Sequence, residues 1–192
     1  MGETRRPLEP EPDNTGGGKN MRKTQSSTLV IAEIAVFVAL SAALSYIKLF
    51  TLPQGGSVTA ASMVPVLWLA LRRGSKIGLF ACVIYGVVQL AIEPYIVHPA
   101  QVLLDYPIAF GALGLAGFFQ KRPFVGINVG IAGRFLAHFV SGIIFFAIYA
   151  PEGMSPIVYS AIYNGSYLLP ELVISIYLTY LVVETKVLRM YL

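Results

Sequence analysis

Hydrophobic residues in this chain come in long unbroken runs rather than in the short alternations of a soluble core. Five runs stand out, at roughly 28–50, 74–93, 99–119, 126–149 and 156–183. A helix needs about 20 apolar residues to cross a hydrocarbon core roughly 30 Å thick, so each run predicts a transmembrane helix. A sixth run, "ASMVPVLWLAL" at 61–71, is too short to cross alone. The preceding "TLPQGGSVT" holds a proline and two glycines and reads as an irregular segment. Non-helical backbone at membrane depth is tolerated only where protein or a water-filled cavity covers it. The pattern therefore predicts an all-α membrane protein, a six-transmembrane-helix bundle with one short helix led by a loop that dips inward. That domain takes in residues 26–192.

Composition agrees. The 192 residues are 56% hydrophobic and 12% charged, with a mean hydropathy of +0.69; soluble domains carry about 25% charged residues. The first 25 residues, "MGETRRPLEPEPDNTGGGKNMRKTQ", differ in kind. They are rich in proline, glycine and charge, lack the apolar stretch of a secretory signal, and predict a disordered tail. Met21, followed by Arg22 and Lys23, reads as an alternative start, with the preceding residues then a non-native remnant. The single cysteine, Cys82, sits in an apolar run and reads as packing. With it and two histidines, no metal site is expected.

Lysine and arginine set the orientation, because they concentrate in cytoplasmic loops. Placing the N-terminus inside puts every basic residue in the cytoplasm except Lys48 and Arg134. Both termini are then cytoplasmic, and the connections 50–60, 93–99 and 149–156 face outward. The net charge of +4 is thus loop charge, with no nucleic acid implied.

Ionisable residues inside spans are costly and usually face the bundle interior. Here they are Glu33, Asp105, Arg134, His138 and Glu171. Glu33 lies near the cytoplasmic end of the first helix and reads as snorkelling to the interface or pairing locally. At about 1.5 Å per residue, Asp105 should lie about 9 Å in from the outer end, His138 about 16 Å, and Arg134 and Glu171 about 22 Å. Tyr159 and Asn164 fall between the mouth and His138. Together they predict an outward-facing pocket with a floor, where Arg134 and Glu171 either neutralise each other or touch a ligand. Tyr95, Tyr106, Tyr159 and Tyr163 stand near the mouth, where an interfacial belt and a ligand role compete. Aromatic faces attract cations, and a carboxylate balances their charge, so the pocket suits a flat, cationic, nitrogen-containing ligand.

Four segments, "LRRG" at 71–74, "VLLDYPIAFGALGLAGFF" at 102–119, "RFLAHFVSGIIFF" at 134–146 and "YSAIYNGSY" at 159–167, together resemble the thiamin-specific substrate-binding (S) component of energy-coupling factor (ECF) transporters. The resemblance runs from about residue 28 to 184. It implies ligand roles for Asp105 and Tyr106, for His138, and for Tyr159 with Asn164. A ring-stacking tyrosine matches Tyr95. "PQGGSV" at 53–58 resembles an extracellular loop of one branch and brings in Ser57. Two departures stand out: Phe146 replaces a tryptophan of some members, and the first outward loop has no tryptophan, so the resemblance leaves ring stacking to Phe146, Tyr95 and Tyr163. Arg134 stands where some members carry lysine.

In "EIAVFVALSAALS" the residues Ala35, Ala39 and Ala43 fall on one face, a spacing that allows close helix approach in lipid. Packing within the bundle would explain it, but the resemblance implies docking on the shared ECF transmembrane coupling subunit. No GxxxxGK[ST] sequence occurs, so ATP hydrolysis would fall to two separate ABC-type ATPase subunits. The expectation is a non-enzymatic thiamin-uptake component of the bacterial plasma membrane, with thiamin as cargo and no cofactor. Rival readings are an S component for another vitamin or a thiamin precursor, a membrane enzyme using Asp105 and His138 as acid and base, and a purely structural bundle.

Overall fold

The structure, a computed structural model, describes residues 15–184, with side chains described for 27–182. The chain divides into two units, residues 1–33 and 34–192. In the first, the described residues belong to the early part of helix α1 (Thr15–Ser45). The side chains of the expected tail, 1–25, lie outside the described residues.

In the second unit, α1 buries Ile34, Val38, Ser41 and Ser45, a stripe at helical spacing, and leaves Ala35, Ala39 and Ala43 exposed. The first predicted run therefore ends at Ser45 rather than near 50. The segment read as irregular is an antiparallel hairpin, β1 (Lys48–Thr51) and β2 (Ser57–Thr59), with Phe50 opposite Val58 and Thr51 opposite Ser57. Its tip turns through Gln54 (φ 61°) and Gly55 (φ 90°), backbone that glycine adopts without a steric penalty.

Helix α2 (Val64–Arg73) begins with Pro65 in its first turn and ends at Gly74, φ 85°. Ten residues span about 15 Å, half the thickness of the bilayer core. It instead buries Val66, Leu67, Leu69 and Ala70 completely, as a helix enclosed by its neighbours does.

Helix α3 (Ser75–Ile92) is followed by a composite helical segment, Pro99–Phe119. That segment starts as α4 (Pro99–Leu103), widens to a π turn over Leu104–Ile108, resumes as α5 (Ala109–Ala112), and tightens to 3-10 geometry over Leu113–Phe119. Pro107 lies inside the π turn and cannot donate the bond an α-helix would direct to Leu103. A wider turn accommodates that loss, and such turns recur at functional sites. Beyond it, a Cβ at Gly114 would overlap the backbone of Leu79, so the glycine lets this segment lie directly against α3. Helices α6 (Pro123–Phe145) and α7 (Pro156–Glu184) complete the fold and pack on each other.

Among the described residues, five segments are long and apolar enough to cross a membrane: Ser27–Ser45, Ser75–Ile92, Pro99–Phe119, Pro123–Phe145 and Pro156–Val182. The sixth expected helix is present as the short α2. Large apolar side chains such as Leu29, Phe80, Ile144 and Leu169 point outward, an arrangement suited to a hydrocarbon solvent.

Candidate functional site

A cavity of about 370 Å³ opens among the hairpin, the 93–98 connection and the ends of α4, α6 and α7. All nine residues assigned a ligand role in the sequence line it: Ser57, Tyr95, Asp105, Tyr106, Arg134, His138, Phe146, Tyr159 and Asn164. The basic residues Arg72 and Arg73 end α2, Lys76 begins α3, and Lys121 and Arg122 precede α6, each at the helix end away from the cavity lining.

Asp105 lies at the heart of the polar lining. Its Oδ1 accepts from His138 Nδ1 at 3.0 Å, and its Oδ2 accepts from Gln101 Nε2 at 2.7 Å. The other ring nitrogen of His138 accepts from Arg134 Nε at 3.3 Å. Arg134 continues inward, donating to the Met63 sulfur at 2.8 Å and lying 4.0 Å over the Phe110 ring. A linear chain, Gln101–Asp105–His138–Arg134, thus crosses between the Pro99–Phe119 segment and α6.

Two expectations are corrected here. Asp105 was placed about 7 Å outward of His138 by counting residues, yet the two side chains are in contact. The count assumed a regular helix starting at the membrane surface. The helix does start at Pro99, but the π turn at Leu104–Ile108 interrupts the regular rise. Arg134 and Glu171, read as a possible neutralising pair, form no direct ion pair among the described residues. Glu171 Oε1 accepts from the Thr59 backbone N–H and from Thr59 Oγ1, each at 2.6 Å. The hairpin dips in as expected, and its base occupies the partner position counted to Arg134.

Aromatic rings form two walls. Tyr95 and Phe146 stack with centroids 5.8 Å apart, and Tyr159 and Tyr163 stack at 5.9 Å. Tyr95 and Tyr149 share a hydroxyl–hydroxyl bond of 3.1 Å. That bond, with some burial, pushes the Tyr95 phenol above its ordinary value, so the ring stays neutral at physiological pH.

Several assigned side chains are engaged with the protein itself. Tyr106 donates to the Glu93 carbonyl at 2.7 Å and accepts from Tyr95 N at 2.8 Å, bracing the loop that carries the Tyr95 ring. Asn164 donates to Ser160 and to the His138 carbonyl and accepts from Tyr167 at 2.9 Å. These residues hold the cavity's shape.

A family model described as "Thiamine transporter protein" matches residues 31–190. The chain belongs to the thiamine transporter family. Curated relatives include the thiamine transporter ThiT of Bacillus subtilis, 35% identical over 78% of this chain and 88% of that protein. ThiT of Lacticaseibacillus paracasei is 33% identical over 77% and 83% respectively. A solved structure of ThiT from Listeria monocytogenes superposes with a TM-score of 0.77 at 25% identity, covering 83% of this chain and 96% of that one. The fold is accordingly that of a membrane-embedded all-α member of the thiamine transporter family.

Other lining residues of this family member went unassigned in the sequence. Gln101 is one helical turn before Asp105, and that spacing was its signal. Tyr167 is another, four residues beyond Tyr163 on α7; Tyr163 itself, for which a ligand role was one of two readings, also lines the cavity. Lys48 and Glu93 form an ion pair at the mouth; the pairing joins segments 45 residues apart, which no local pattern announces.

Proposed function

We propose that this chain binds thiamin and serves its uptake as the substrate-binding S component of an ECF transporter. One observation carries the reading: the Asp105 carboxylate lines the same cavity as two aromatic stacks. Thiamin joins a cationic thiazolium ring to an aminopyrimidine. Aromatic faces hold the cation, more strongly once water is displaced. A carboxylate balances its charge or accepts from the exocyclic amine. The nine lining residues named above are the proposed ligand site, with Asp105 and the aromatic walls in contact and Tyr106 and Asn164 as framework. Both ring nitrogens of His138 are engaged, so the enzyme reading would have to draw on Asp105 alone.

The exposed face of Ala35, Ala39 and Ala43 supports docking on an ECF transmembrane coupling subunit, with ATP hydrolysis supplied by two ABC-type ATPase subunits. The basic connections at the ends away from the cavity support cytoplasmic termini and a cavity opening outward from the bacterial plasma membrane.

Calorimetric titration of the purified protein with thiamin tests the proposal. A dissociation constant below about 1 μM, roughly −8 kcal/mol, is expected without any partner. Absence of binding at millimolar thiamin refutes it. Tighter binding of the free aminopyrimidine precursor would reassign the ligand.

A further inference from the structure

We infer that Gln101 is a positioning residue of the ligand site, which aims the Asp105 carboxylate and ties it to the loop carrying Tyr95; this rests on the thiamin-binding reading above. Gln101 is 1% exposed. A buried amide needs partners for its oxygen and for both of its N–H groups. The oxygen accepts from Val97 N at 3.0 Å. The nitrogen donates to the Tyr95 carbonyl at 3.1 Å and to Asp105 Oδ2 at 2.7 Å.

Each of these partners has one possible role. A backbone N–H only donates, whereas a carbonyl and an ionised carboxylate only accept. One amide orientation satisfies all three, and its flipped alternative satisfies none. The side chain is therefore locked from the loop side, and its second N–H is delivered to Asp105.

Asp105 receives a donor on each oxygen, Gln101 on Oδ2 and His138 on Oδ1. Two donors from different segments fix the carboxylate plane, and 13% of the side chain is still exposed, on the cavity wall. A fixed carboxylate needs no reorganisation when a cation arrives, and preorganisation of this kind raises affinity. Gln101 has no polar atom left for the ligand, so its contribution passes through Asp105 and the Tyr95 loop.

A double-mutant cycle tests the inference. Gln101→Leu is expected to weaken thiamin binding about tenfold in the natural background and about twofold or less with Asp105→Ala, because residues acting through one another are non-additive. Equal fold losses in both backgrounds, or wild-type affinity in Gln101→Leu, overturn it. Gln101→Met covers the case in which the leucine variant does not purify. It keeps the length of the side chain while removing both donors and adding no charge, and the same pattern of losses is expected.

A ligand-free readout separates failure of this inference from failure of the thiamin reading. The protein has two histidines, so nitrogen-15 histidine spectra resolve His138 readily. If the natural protein does not bind thiamin, the transport reading falls. A moved His138 Nδ1–H signal in Gln101→Leu or Gln101→Met would still support the positioning role, and an unmoved one would overturn it.

Discussion

Glu171 meets Thr59 through two hydrogen bonds of 2.6 Å, and so ties helix α7 to the last residue of strand β2. The contact is buried: Glu171 is 3% exposed and Thr59 is 5% exposed. Thr59 Oγ1 also meets Ser62 Oγ at 2.7 Å, which extends the tie toward α2. Eight residues earlier on α7, Tyr163 accepts from Gly56 N and donates to the Pro53 carbonyl. Between them Tyr167 packs with Val58. One face of α7 thus grips the hairpin from tip to base.

Removing the acceptor at Glu171 should unfasten the base of the hairpin. Glu171→Leu leaves the buried Thr59 N–H unpaired, a loss of about 1–3 kcal/mol. Glu171→Gln keeps a carbonyl oxygen for the same donors and should retain most of the stability. Thermal unfolding in detergent checks both. Equal destabilisation by the two variants would mean that the charge, not the acceptor, matters at this position.

Asp105→Asn should weaken thiamin binding at least tenfold, about 1.4 kcal/mol. The asparagine has one acceptor oxygen where the carboxylate has two, and one of its atoms becomes a donor facing Gln101 Nε2 or His138 Nδ1. The lost charge also removes the counterion for a cationic ring. Calorimetry decides it. An affinity like that of the natural protein would take Asp105 out of the site.

Much of this was legible from the chain. Long apolar runs gave the spans, because lipid imposes length and polarity on a helix. Charges inside those runs marked the cavity, because few other places in a bilayer tolerate them. Partner choice was not legible. Arg134 and Glu171 were counted to similar depth, but the hairpin base came between them and took the carboxylate. Asp105 meets His138 across a segment whose π turn breaks the regular rise that the count assumed. Depth by rise per residue fails wherever the backbone departs from the helix. Gln101 was overlooked because one uncharged glutamine at the start of an apolar run looks ordinary until its three partners are seen.

The contact between α6 and α7 depends on a missing side chain. A Cβ at Gly142 would overlap Ser160 Oγ and approach Asn164 Nδ2 at 3.3 Å. Ser160 Oγ is also committed, donating to the Phe139 carbonyl at 2.8 Å. Gly142→Ala should therefore separate the helices beside the cavity and destabilise the protein by about 1–3 kcal/mol, the range for overpacking. Adding Ser160→Ala should relieve part of that loss. Thermal unfolding of the single and double variants measures it; a double variant less stable than Gly142→Ala alone would contradict the steric account.

The alanine face of α1 is the last point at which spacing and structure bear on function. Internal packing was one explanation for Ala35, Ala39 and Ala43, but the buried stripe of that helix is Ile34, Val38, Ser41 and Ser45. The alanines are exposed, where small side chains permit close approach of another helix. Ala39→Trp places a large ring on that face without entering the cavity lining. Uptake of labelled thiamin by cells carrying a complete ECF module should then fall to background. Binding of thiamin to the isolated variant should stay within about twofold of the natural protein, a difference under about 0.5 kcal/mol. Loss of both activities would show that the ring disturbs the bundle itself, whereas retention of both would remove this face from the docking surface.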